Sequence, residues 1–78
     1  MSAEAVAFTR SWRVGKFRAT LSCPRPRPGV TASAVIEWWP SVPQRMTPAE
    51  VAKYRAGRDS ALADLARELR VGVAVVDL

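Results

Sequence analysis

The residues with the most chemical potential in this chain are basic. Arg10, Arg13, Lys16, Arg18, Arg25 and Arg27 fall within one stretch that holds no acidic residue. A guanidinium pairs with a phosphate or a carboxylate through two parallel hydrogen bonds, so such a stretch points to an anionic partner. The whole formal charge of +5 lies in residues 1–45, because residues 46–78 carry equal numbers of bases and acids. Codon bias explains arginine over lysine, but not why acids avoid this stretch. Two of the arginines sit in PRPRPG at residues 24–29. Proline fixes φ and favours an extended, stiff backbone, so Arg25 and Arg27 are expected on a rigid projecting tip that loses little entropy on docking. Trp39, in EWWP, adds an indole that can stack on a base or anchor a protein partner.

Catalysis is hard to build from the same inventory. The chain has no histidine, which removes the commonest general base and metal ligand. VGKF at residues 14–17 lacks the preceding glycine and the Ser/Thr of a phosphate-cradling loop. Cys23 is the lone cysteine, so it has no disulfide partner and no ligands to share a zinc ion with, and a buried apolar role suits it. No enzymatic activity, cofactor or metal is expected. The lone cysteine, the lack of a secretory leader pattern in MSAEAVAFTR and the shortness of every apolar run fit a cytoplasmic protein without membrane contact.

Seventy-eight residues make one small domain, 1–78, with a thin stability margin to which dimerisation would add. Apolar positions alternate through Val6, Phe8, Trp12 and Val14, then change phase to Phe17, Ala19, Leu21 and Cys23. A two-residue turn at Gly15-Lys16 explains the slip without a bulge, and glycine suits its first position. The hairpin then pairs Val14 with Phe17, Trp12 with Ala19 and Phe8 with Cys23 on one side. Arg13 with Arg18, Ser11 with Thr20 and Thr9 with Ser22 lie on the other. Strands are thus expected over about 5–14 and 17–23, with a third over about 30–39 that places Ile36 and Trp38 opposite Glu37 and Trp39. Thr47, Pro48 and Glu50 read as cap, first helical residue and capping-box partner of a helix over about 48–70. Its stripe is Val51, Tyr54, Leu62, Leu65 and Leu69, and Gly57 would allow close packing on the sheet. VGVAVVDL reads as a buried strand over about 71–78.

The fold class is therefore α+β, in the order β-β-β-α-β, with an antiparallel meander and one helix on one face. A right-handed crossover would set the last strand beside the first, in the spatial order 3-2-1-4, and an apolar last strand at a sheet edge could pair with a second copy. That order resembles the first half of the ribonuclease H fold and the small HicB-type antitoxin domains. The ribonuclease H resemblance implies clustered carboxylates on the sheet, whereas the strands here offer only Glu37 and Asp77. PRPRPG is similar to an AT-hook core, with proline at the glycine position that allows close groove approach.

A helix on the face of Trp12, Phe17 and Ile36 leaves Arg13, Arg18 and Trp39 on the opposite one. The expectation is a non-enzymatic domain that contacts nucleic acid through Arg13, Lys16, Arg18, Arg25, Arg27 and Trp39. The alternative is a protein-binding module or inhibitor, of the antitoxin or anti-CRISPR kind that mobile elements encode, acting on an acidic protein or nucleoprotein.

Overall fold

Side-chain alternation builds the sheet. The computed structural model describes residues 6–25, 32–69 and 73–77. Strand β1 (Val6–Val14) turns at Gly15-Lys16 into β2 (Phe17–Pro24), and Gly15 takes φ +60°, the region open to glycine at little cost. The register is the expected one throughout: Val14 opposite Phe17, Arg13 opposite Arg18, Trp12 opposite Ala19, Ser11 opposite Thr20 and Phe8 opposite Cys23. Ala7 alone departs, as a bulge between the Val6–Pro24 and Phe8–Cys23 pairs. Strand β3 (Ala32–Trp39) pairs antiparallel with β2, setting Trp39 beside Arg18 and Trp38 beside Ala19.

Helix α1 (Pro48–Leu69) starts as its sequence dictates. The Thr47 backbone N–H donates to Glu50 Oε1 at 2.8 Å, and the Glu50 N–H donates to Thr47 Oγ1 at 3.2 Å. This reciprocal box satisfies two amides that the first turn leaves without helical partners. Tyr54, Ala61 and Leu65 form the buried stripe, packed on Phe8, Val14, Ala19, Leu21, Cys23, Ala34 and Ile36. The result is a two-layer α+β domain of three antiparallel strands and one helix, with the core between the layers. Among the described residues no helix is long and apolar enough to cross a membrane.

Strand β4 (Val73–Asp77) corrects the expected strand order. It pairs parallel with β3, in the order β1-β2-β3-β4, and not with β1. Strands β1 and β3 run the same way, so a chain leaving α1 can lie parallel to either edge. Two features guard the β1 edge against another strand. The Ala7 bulge breaks its ladder, and Arg10 is a charge on its helix-facing side. This order is not the one that the ribonuclease H and HicB-type resemblance implied.

Gly57 sets the distance between the layers. A Cβ built there would overlap Cδ1, Cγ and Nε1 of Trp12, so the indole lies directly on the helix backbone. Trp12 and Trp38 flank Tyr54 with ring centroids 6.0 and 5.1 Å away. Close approach has a cost: Trp12 Nε1 is buried with no hydrogen-bond partner among the described residues. Helix propensity alone predicts that Gly57→Ala stabilises by up to ~1 kcal/mol. Overpacking against the indole is the larger effect, and the expected outcome is a net loss of about 1–2 kcal/mol in urea unfolding. In a Trp12→Leu background, where the obstruction is gone, the same substitution is expected to stabilise. A stabilising Gly57→Ala in the wild-type background would show that the indole does not define the contact.

Candidate functional site

The helix covers one face of the sheet and nothing among the described residues covers the other. Three rows of side chains cross that open face, each set by strand register. The first runs Arg13, Arg18, Trp39; the second Ser11, Thr20, Glu37; the third Thr9, Ser22, Val35. Arg13, Arg18, Glu37 and Trp39 are exposed, while Thr20, Ser22 and Val35 are half-buried by their neighbours. Ser11 Oγ and Thr20 Oγ1 share a hydrogen bond of 2.8 Å, which holds the middle of the face in order.

The first row is where charge and aromatic surface meet. The Arg18 guanidinium carbon lies 5.4 Å from the centroid of the Trp39 ring, in cation–π range. Trp39 nevertheless keeps 63% of its surface exposed, in contrast to Trp38, its chain neighbour, which turns inward onto Tyr54. Arg13, Lys16, Phe17, Arg18 and Trp39 line a shallow depression of about 90 Å³ at the hairpin end of the face. Phe17 is the member that sequence reasoning assigned wholly to the helix side. Its position next to the turn leaves it half-buried, with one edge available to the depression.

Asp59, Asp64 and Glu68 of the helix are engaged with arginines outside this cluster, whereas Glu37 stands on the open face and the Glu50 carboxylate lies against Gly15 at the turn. Asp64 and Glu68 on the helix each lie 3.8 Å from Arg10, and Asp64 also pairs with Arg67. Asp59 pairs with Arg58 at 3.5 Å. None of the ion pairs among the described residues involves Arg13, Lys16 or Arg18. Arg10, basic by sequence, faces the helix and its guanidinium also lies over the Phe8 ring at 5.0 Å, so it belongs to the scaffold.

The six expected contact residues do not form one patch. Arg13, Lys16, Arg18 and Trp39 come together at the turn end. Arg25 is exposed just beyond the opposite end of β2, roughly 23 Å from Arg18 at the usual rise per strand residue. Arg27 lies outside the described residues. Cys23 is fully buried, its thiol pushed up by loss of solvation, and its Sγ donates to the Pro24 carbonyl at 3.4 Å. It is core, not a nucleophile. Among the described residues no three His, Cys, Asp or Glu side chains converge as a metal would need.

No family model matches the chain, and neither a curated protein nor a solved structure is significantly similar to it.

Arg13 directly opposite Arg18 is a repulsive cross-strand pair, and neither guanidinium is in an ion pair among the described residues. Such pairs cost on the order of 0.2–1 kcal/mol. Arg13→Thr is therefore expected to raise stability by that amount in low salt, and the gain should shrink as added salt screens the charges. A variant less stable than the wild type at every salt concentration would mean that Arg13 is held by an interaction other than charge.

Proposed function

We propose that this chain is a binding domain that contacts nucleic acid through the turn end of its open sheet face. The observation that carries the reading is the row Arg13, Arg18, Trp39, with Lys16 at the adjoining turn. It joins three cations that have no acidic partner among the described residues to an indole with 63% of its surface exposed. Guanidinium and ammonium groups bind phosphate oxygens, and an exposed indole offers a stacking surface to any base. Hydroxyls of Ser11, Thr20, Thr9 and Ser22 continue the face as neutral hydrogen-bonding groups. The role is binding, not catalysis, and needs no cofactor or metal. Arg25 extends the positive surface toward the far end of the sheet as a secondary contact, and Arg27 is expected to act with it.

A second reading is supported by the exposed apolar surface beside the cations. Trp39 and Val42, three residues on, are 63% and 58% exposed. Trp and Arg dominate protein–protein hot spots, so the same surface suits an acidic protein partner, as an inhibitor from a mobile element would use.

Fluorescence anisotropy with labelled oligonucleotides separates the two. Phosphate binding releases counterions, so affinity should fall with salt with a logarithmic slope of about −2 for three phosphates on a single strand. Arg13→Ala/Arg18→Ala is expected to flatten that slope by about 1.4 and weaken binding throughout. Arg25→Ala/Arg27→Ala should have the smaller effect. Binding that vanishes at near-physiological salt, or is indifferent to Arg13 and Arg18, would refute the nucleic-acid reading and favour the acidic protein.

A further inference from the structure

Resting on the nucleic-acid reading, we propose that the open face takes a single strand and not a duplex. The phosphates lie along the β1–β2 side, and one base stacks on Trp39 with its amino group toward Glu37. The lateral arrangement of chemistry carries this. All three cations, Arg13, Lys16 and Arg18, stand on the hairpin, whereas β3 contributes Trp39 and Glu37 to the same face. A phosphate chain following β3 would run over the Glu37 carboxylate, which is exposed and in no ion pair among the described residues. Following the hairpin instead, it meets cations and hydroxyls. The strands are about 4.8 Å apart, so the bases of such a chain project across β2 onto β3.

There they meet the group that wants a π-face and the group that wants an N–H donor. Arg18 covers one part of the indole at 5.4 Å and leaves the rest to solvent. Glu37 is two residues before Trp39, so both side chains point to the same side, about 7 Å apart along the strand. A carboxylate accepts from the exocyclic amino group of cytosine and finds no such donor at position 4 of thymine.

The shape of the hairpin argues against a duplex. A two-stranded ribbon can enter a major groove about 12 Å wide. Here the helix N-terminus is placed against the turn: a Cβ on Gly15 would overlap the Glu50 carboxylate. The tip is thus thickened by a helix and carries an acid where phosphates would flank it. A stacked duplex also withholds its base faces from Trp39 except at its ends.

The test is anisotropy at about 150 mM salt with oligo(dC), oligo(dT) and a mixed-sequence duplex, each of about 12 nucleotides or base pairs. The expected result is oligo(dC) binding on the order of tenfold tighter than oligo(dT), and both tighter than the duplex. Trp39→Ala should weaken both single strands roughly 5- to 100-fold and leave the duplex unchanged. Glu37→Ala should abolish the dC preference while keeping the oligo(dT) affinity. Both residues are exposed, and an unchanged thermal transition in each variant establishes that the fold is intact. A duplex bound at least as tightly as the single strands, or single-strand affinity indifferent to Trp39, overturns the inference while the nucleic-acid reading stands. Equal dC and dT affinity overturns the placement of the base edge at Glu37. If none of the three probes binds, the nucleic-acid reading falls, and this inference with it.

Discussion

The contact between the Trp12 indole and the backbone of Gly57 is the constraint from which the rest of this architecture follows. A single helix must hold down a sheet whose other face nothing among the described residues covers, so every buried side chain counts. Removing one Cβ lets the largest side chain on β1 reach the helix backbone. Tyr54 then fits between Trp12 on β1 and Trp38 on β3, bringing the three strands of the meander under one aromatic cluster. The buried Nε1 without a hydrogen bond is the cost of this closeness, about 1–3 kcal/mol in typical proteins. The burial around it evidently outweighs that loss.

Once the helix is bound to one face, the period of two does the remaining sorting. Every residue whose neighbour enters the core must face water. Trp38 and Trp39 show the rule at its sharpest, since identical side chains at consecutive positions have opposite environments. Arg13 and Arg18 are brought side by side by the same registry that pairs Trp12 with Ala19 and Val14 with Phe17. The basic cluster is therefore a consequence of core packing as much as of its own composition. The helix adds a further selection by engaging Arg10 with Asp64 and Glu68, which holds those two acids on the covered face.

How much of this was legible in the chain depends on how local the signal is. The hairpin register could be read because only one placement of a two-residue turn leaves both faces chemically consistent, and glycine marks its left-handed position. The capping box could be read because its partners are three residues apart. The position of β4 could not, since β1 and β3 are parallel to each other and each offers an edge. The bulge at Ala7, which marks the β1 edge as the less regular one, is not visible in an apolar pattern. The division of the basic residues was legible, since the six residues of β2 that follow Arg18 separate it from Arg25. Phe17 escaped because alternation assigns a side but not how far a turn residue curls out of it.

The open face contributes little to what keeps the protein folded. Its arginines, hydroxyls, Glu37 and Trp39 lie outside the hydrophobic core, and the hydrogen bond between Ser11 and Thr20 is exposed. Substitutions there can be tried at small energetic risk, whereas losing or gaining one residue in β2 would exchange Arg18 and Thr20 for Ala19 and Leu21 and turn the molecule inside out. A lineage carrying this fold is thus free to rewrite the chemistry of one surface letter by letter, provided that it never alters the spacing of the text.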